Sequence, residues 1–333
     1  MWLQPRGGGL EWWASAFVVT TILVGTLLGN GGVLLGLRGG RRAYHYPLTS
    51  LVAADMLVGV AVQPLAAATE LFVFKLNRYI CGFWSTMDVL CCTASILSLC
   101  ALAWERWYGI TAPLARSKRA RRSKFLAYCV WPASALVALP NALLTPPHHF
   151  DPGKLEKGCP VNVNTGYVFF SISLSFYLPA ALLVVMYGCI LRALAAPPPI
   201  RAHRGRSPAV NTANLVERSN SNDTGNSEDI NMNVLGTTNG GPAAQKCTSH
   251  EAFIRRQRRA TRTIVTLMAL FLVCWTPYFI ILPLDSLCHC VNPSTWLWCT
   301  WLGYANSALN PLVYAAAFRG GGRQRSSTMS SSR

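Results

Sequence analysis

The chain has 333 residues, of which 51% are hydrophobic and 13% charged, and its net charge is +17. Too few charges are present to cover the surface of an ordinary soluble protein of this length, which points to a chain that lives in a membrane. The positive balance raises nucleic acid as a partner, but no aromatic-interleaved basic strand and no zinc-ligand spacing supports it.

Met1–Glu11 is Gly-rich and carries no cleavable signal pattern, so the first apolar run is expected to act as its own targeting signal. Seven apolar segments follow, at 14–37, 47–72, 81–110, 125–145, 164–194, 260–285 and 294–317. Each meets the roughly twenty-residue length needed to span a bilayer. The expected organisation is therefore an all-α, seven-helix membrane bundle. It has an extracellular stretch 1–13, helices one to five within 14–194, a cytoplasmic loop 195–256, helices six and seven within 257–318 and a short cytoplasmic tail 319–333.

Charge sets the orientation. Three Lys/Arg lie between the first two segments, seven from Arg106 to Lys124, eleven from Arg192 to Arg262 and four from Arg319 onward. Only Arg6, Lys75, Arg78, Lys154 and Lys157 fall on the opposite side. Positive charge stays cytoplasmic, so the amino terminus is expected outside and the carboxyl terminus inside. Between Pro197 and Ser249 the composition turns to Asn, Ser, Gly, Thr and Pro, which buries too little apolar surface to fold. The sequon at Asn222 lies in this cytoplasmic stretch and is read as a chance match.

Most of the twelve cysteines sit within the segments as small hydrophobes. Cys81 opens the third segment on the outside and Cys159 lies in the loop before the fifth, both facing an oxidising compartment, so a disulfide between them is predicted. Cys288 and Cys290, in the last outer loop, leave two states open: a bridge or two free thiols.

The third segment carries the sharpest chemistry. Asp88 stands near its outer end and Arg106 near its inner end, eighteen residues apart. That is five helical turns, so both charges share a face about 27 Å apart, close to the hydrocarbon thickness. An unpaired carboxylate in a low-dielectric site is costly, and no other segment offers a Lys or Arg at that depth. An incoming ammonium is the expected partner. Trp275, Tyr278 and Phe279, at i, i+3 and i+4, form an aromatic face suited to a cation, with Trp84 and Trp301 closing the top. Ser171 and Ser175 stand four apart on the fifth segment, followed by Phe176.

The stretch from Cys81 through Asp88-Val-Leu-Cys-Cys-Thr-Ala-Ser95-Ile96 to Glu105-Arg106-Trp107 resembles the rhodopsin-like G-protein-coupled receptors, specifically the aminergic branch. Phe271-Leu-Val-Cys-Trp275-Thr-Pro-Tyr278-Phe279 and Trp301-Leu-Gly-Tyr304-Ala-Asn306-Ser307-Ala-Leu-Asn310-Pro-Leu-Val-Tyr314 are similar to that family's sixth and seventh helices. The resemblance implies a plasma-membrane, multi-pass receptor in which Asp88 binds a biogenic amine, with Tyr304 holding the carboxylate. Val89, Cys92 and Thr300 complete the implied lining. Ser171 and Ser175 would meet the ring hydroxyls of a catecholamine or phenolamine. Subtype features divide: Gly166–Ser171, Ser175–Pro179 and Ile281–Leu284 resemble alpha-type adrenergic receptors, Thr300–Tyr304 dopamine receptors, and Tyr304–Asn310 also histamine receptors.

The resemblance further implies that Asp55, Ser95, Asn306, Ser307 and Asn310 form an allosteric sodium pocket, with no other cofactor. Pro179, Ile96 and Phe271 match the packing triad beneath the ligand. Arg106, with Glu105 beside it, Tyr187 and Tyr314 match groups that rearrange as the cytoplasmic end opens. Leu114, after Pro113, is the expected apolar plug for a heterotrimeric G protein, and arrestin is a further implied partner through Ser326 to Ser332. Glu105-Arg106-Trp107 departs from the family's Asp-Arg-Tyr, and Gln257 stands where many relatives carry a Glu facing Arg106, so raised basal signalling is expected. Three glycines after Arg319 predict that the amphipathic eighth helix is shortened or absent.

Other classes are disfavoured by the residues. A retinal Schiff base needs a lysine in the seventh segment, but Lys246 is the last lysine in the chain. A transporter calls for duplicated halves, and an intramembrane enzyme for a His pair or nucleophile motif; the segments offer none of these.

Overall fold

The computed structural model describes residues 4–5, 9–37, 45–73, 78–112, 115–144, 165–195, 242–288 and 290–330. Seven helical rods follow one another: α1 (Leu10–Leu37), α2 (His45–Leu71), α3 (Arg78–Thr111), α4 (Arg116–Leu144), α5 (Thr165–Ala195), α6 (Pro242–Cys288) and α7 (Pro293–Ser330). One two-residue antiparallel pair, β1 (Gln4–Pro5) with β2 (Phe72–Val73), lies outside them. The packed unit comprises Met1–Leu194 and Arg256–Arg333, and Ala195–Arg255 forms a unit of its own.

Each predicted apolar segment lies on one rod, overrunning it by at most a residue. Six of the rods are long and apolar enough to cross a bilayer. The seventh, α7, falls short of that criterion because Asn306, Ser307 and Asn310 interrupt its apolar run, and all three are buried inside the bundle. α3 packs against α2 and α4, and α1 against α2 and α7. Leu51, Ile96, Leu99, Leu183, Leu267 and Phe271 form the centre of the core.

Two rods contain wide π-helical turns that periodicity does not reveal, Val58–Val62 in α2 and Ser173–Tyr177 in α5. Each ends two residues before a proline, Pro64 and Pro179. A proline in a helix lacks the donor and its ring crowds the carbonyl four residues back, here Val60 and Ser175. Widening the preceding turn relieves that clash, with Gln63 and Leu178 donating instead to the carbonyls of Val58 and Ser173.

Residues 242–256 of the expected loop are helical, because α6 extends back to Pro242 at its first position. Proline is at home in a first helical turn, and the Ala, Gln, Lys, Glu and Arg that follow are good helix formers. Residues 196–241 lie outside those described. At the other end, α7 continues through Gly320–Gly322 to Ser330, and no separate eighth helix follows it among the described residues.

α1 and α7 approach closely at Gly29, where an added Cβ would lie 2.7 Å from Pro311. Gly32, three residues on, has open space around it. Gly29→Val is expected to destabilise the bundle by about 1–3 kcal/mol through overpacking, and Gly32→Val much less. Thermal melts of the two purified variants check this, and equal melting temperatures would refute the close approach.

Candidate functional site

α3 carries Asp88 into the outer half of the bundle, where the carboxylate interacts with Tyr304, Tyr278 and Cys92. It therefore faces the interior and not lipid. Asp88 Oδ1 is buried with no hydrogen-bond partner, and the ion pairs among the described residues, Glu105 with Arg106 and with Arg119, give it no cation. The phenol of Tyr304 interacts with the carboxylate, and Tyr304 Oη makes no other hydrogen bond among the described residues. The ring is held from elsewhere, edge-on to Trp301 (centroids 5.4 Å) and to Trp275 (6.3 Å).

The aromatic face on α6 forms as the spacing predicts. Trp275 meets Tyr278 edge-on at 5.7 Å and Phe279 at 5.9 Å, and Phe279 stacks on Phe176 of α5 at 4.2 Å. Trp275 lies against Gly303, where an added Cβ would sit 2.9 Å from the indole. A glycine at this point allows α7 to support the ring flat against its backbone. Trp301 is buried, whereas Trp84 is half-buried and donates its indole N–H to the Val62 carbonyl at 3.1 Å, tying α3 to the π-turn of α2. Val89 and Thr300 are half-buried and Cys92 is buried.

Ser171 and Ser175 are both buried, Ser175 within the π-turn beside Phe176. The Ser171 hydroxyl is hydrogen-bonded to the side chain of Tyr167, one turn earlier on α5.

Beneath this chamber lies a second acid, Asp55, fully buried and satisfied on both oxygens. Ser307 Oγ donates to Oδ1 and Asn310 Nδ2 to Oδ2, each at 2.8 Å. Ser95 and Asn306 are also buried, and Asn306 Oδ1 has no partner. Phe271 links the levels, 6.4 Å from Phe176 and 6.3 Å from Trp275, while Cys100 Sγ contacts the Pro179 carbonyl at 3.6 Å and Ile96 is fully buried.

At the inner end, buried Glu105 is shared. Its Oε2 lies 3.6 Å from Arg106 Nε and its Oε1 3.4 Å from Arg119 Nε on α4. Tyr314 is buried with its hydroxyl unpartnered, and Tyr187 is half-buried against the core. Cys81 is disulfide-bonded, and Cys288 is bridged to Cys290, which resolves the state left open above. Cys159, Leu114 and the Gln257 side chain lie outside the described residues.

Sequence reasoning missed three supports. Gln63 is fully buried and its Nε2 bonds Thr26 Oγ1 at 3.2 Å and the Tyr304 carbonyl at 3.3 Å. Asn30 bridges α1 to the Ser307 carbonyl at 2.8 Å. Both are lone amides in apolar runs, the same signal that revealed Asp55. The third, Trp296, donates to Asp285 Oδ2 at 3.2 Å and meets Tyr278 edge-on at 5.6 Å, joining the bridged outer loop to the aromatic wall.

Residues 32–314 match the family described as 7 transmembrane receptor (rhodopsin family). The chain belongs to that family. This rhodopsin-family chain is therefore a seven-transmembrane protein, with α7 as the seventh span. It is 30% identical over 322 residues to the human (Homo sapiens) alpha-1A adrenergic receptor, covering 90% of this chain and 65% of that protein. It is 30% identical over 339 residues to the mouse (Mus musculus) alpha-1D adrenergic receptor, covering 95% of this chain and 56% of the relative. The guinea-pig (Cavia porcellus) alpha-1A receptor is 31% identical over 286 residues, 81% of this chain and 57% of that protein. The chain thus spans a little over half to about two thirds of the length of these relatives.

Gln63→Leu removes a buried donor that joins α1, α2 and the Tyr304 backbone. Loss of about 1–3 kcal/mol of stability is expected, since the Tyr304 carbonyl and Thr26 are left short of a donor in a dry site. Urea or thermal unfolding of the variant measures it, and a wild-type stability would show the clamp to be idle.

Proposed function

We propose that this chain is a plasma-membrane receptor for a biogenic amine of the catecholamine or phenolamine class, which signals to a heterotrimeric G protein. The observation that carries the reading is Asp88, an interior carboxylate whose Oδ1 is buried and unpartnered beside the aromatic wall of Trp275, Tyr278 and Phe279. A protonated amine supplies the missing positive partner, and rings around it add cation–π attraction. Ser171 and Ser175, both buried on α5, are the groups we assign to the ring hydroxyls at the opposite end of such a ligand. The similarity to proteins named as adrenergic receptors supports the same ligand class.

In this reading the amino terminus is outside, Cys81 pairs with Cys159, and arrestin is a second cytoplasmic partner. Ligand binding biases a two-state bundle by its differential affinity for the two states. The shift passes through Phe271, Ile96 and Pro179 to Arg106, Tyr187 and Tyr314, and Leu114 contacts the G protein.

A competition panel of dopamine, noradrenaline, octopamine, histamine and serotonin on membranes tests the ligand class. Asp88→Asn is expected to cost every amine about 3–5 kcal/mol, the loss of a partner for a buried charge. Ser171→Ala is expected to weaken ligands with ring hydroxyls and leave phenethylamine unchanged. Retention of amine affinity by Asp88→Asn would overturn the reading, and equal losses for phenethylamine would remove Ser171 from it.

Asp55, Ser95, Asn306, Ser307 and Asn310 offer an all-oxygen donor set around one carboxylate, and Asn306 Oδ1 is an orphaned buried acceptor. Such a set fits a small hard cation. We assign it a sodium ion, whose charge offsets Asp55 and favours the closed bundle. Asp55→Asn is expected to abolish the sodium dependence of amine affinity, and an undiminished sodium effect in that variant would refute the assignment.

A further inference from the structure

The first turns of α4 carry Arg116, Lys118, Arg119, Arg121, Arg122 and Lys124, and no Asp or Glu occurs between Glu105 and Asp151. The helix sorts these cations by face. Arg119 points inward to Glu105, above a buried row of Ser123, Ala127, Val130 and Ser134. Arg122 lies over the Tyr108 ring at 5.4 Å while remaining exposed. Lys118, Arg121 and Lys124 are exposed as well.

Lys118, Arg121, Arg122 and Phe125 stand at i, i+3, i+4 and i+7, so they share one stripe of the helix. The same stripe continues as Tyr128, Leu136, Leu139 and Leu143, all exposed; Phe125 and Tyr128 are each 67% exposed and Leu143 79%. In a membrane-spanning helix an exposed apolar stripe is the lipid-facing one. From Phe125 to Leu143 it runs roughly 27 Å along the axis, which matches the hydrocarbon thickness of about 30 Å. Lys118 and Arg121 on that stripe, and Lys124, whose Nζ lies over the ring of Tyr128 at 5.9 Å, therefore stand within about two turns of the hydrocarbon edge, at headgroup depth and on the lipid side of the bundle.

We infer that this stripe is a binding site for anionic phospholipid headgroups. Its placement selects lipid over a protein partner, because Lys118 and Arg121 continue the lipid-facing stripe while Arg119 and Arg122 turn to α3. Clusters of this size beside a spanning helix attract acidic lipid, each cation near the surface adding to the attraction. The inference rests on α4 crossing the bilayer and not on the identity of the amine.

The test uses the full chain in nanodiscs of phosphatidylcholine and phosphatidylserine in equal parts, with the headgroups retained after gentle release counted by native mass spectrometry. The triple variant Lys118→Gln, Arg121→Gln, Lys124→Gln spares Arg119 and Arg122, which touch α3. Its phosphatidylserine enrichment is expected to fall about tenfold relative to wild type. A control with the same change of charge, Arg201→Gln, Arg204→Gln, Arg206→Gln, is expected to keep the wild-type enrichment. Wild-type enrichment in the triple variant, or an equal loss in the control, overturns the proposal. So does an intact enrichment accompanied by weakened coupling to a purified G protein in phosphatidylcholine discs, since the patch then serves a protein. If the triple variant does not fold, added salt must erase the enrichment of the wild-type chain, and salt independence overturns the site. Amine binding is read separately in phosphatidylcholine discs, so failure of the amine assignment leaves this result interpretable.

Discussion

A bilayer offers no water to a buried polar group, so each one inside this bundle must find a partner within the protein or receive one from outside. Asp55 and Asp88 answer that demand in opposite ways. Asp55 is saturated by Ser307 and Asn310, each at 2.8 Å, and thereby ties α2 to α7. Asp88 has the Tyr304 phenol beside it but leaves Oδ1 without a partner. The same residue type is thus a structural tie at one depth and an open valence at the other.

The prolines prepare the ground for this difference. Pro64 and Pro179 each follow a π-turn. In α2 the turn ends at Val62, whose carbonyl accepts Trp84 and whose neighbour Gln63 holds the Tyr304 backbone. In α5 it contains Ser175 and Phe176, and Phe176 stacks on Phe279. Backbone irregularity in a membrane survives where it is buried in protein, as Val58, Val62, Ser175 and Phe176 are.

Much of this was legible in the sequence because a bilayer imposes length and apolarity on each span. Asp55, Asp88 and Arg106 stood out as charges in nearly uncharged runs, and the i, i+3, i+4 spacing of Trp275, Tyr278 and Phe279 placed one wall correctly. The π-turns were not legible, since a proline acts on geometry through a carbonyl four residues back and leaves composition unchanged. Gln63 and Asn30 carried the right signal but no charge. The helical extension of α6 over 242–256 was not read, because the Asn/Ser-rich character of the loop was carried into residues where Ala, Gln, Glu and Arg favour a helix. The packing of the Tyr304 ring on Trp275 and Trp301 left no mark in the sequence.

The two ends of α3 treat their carboxylates differently. Near its start, Asp88 makes no ion pair among the described residues. Near its end, Glu105 is shared between two guanidiniums, Arg106 and Arg119. Eighteen residues separate Asp88 from Arg106, roughly 27 Å along the helix, too far for direct pairing. Each carboxylate therefore answers to its own surroundings, and Glu105 does so by binding a neighbouring helix. Arg119 anchors α4 to α3 there, beside Arg122 over the Tyr108 ring, and nearer the other end Asn141 Nδ2 donates to Ser85 Oγ at 2.7 Å.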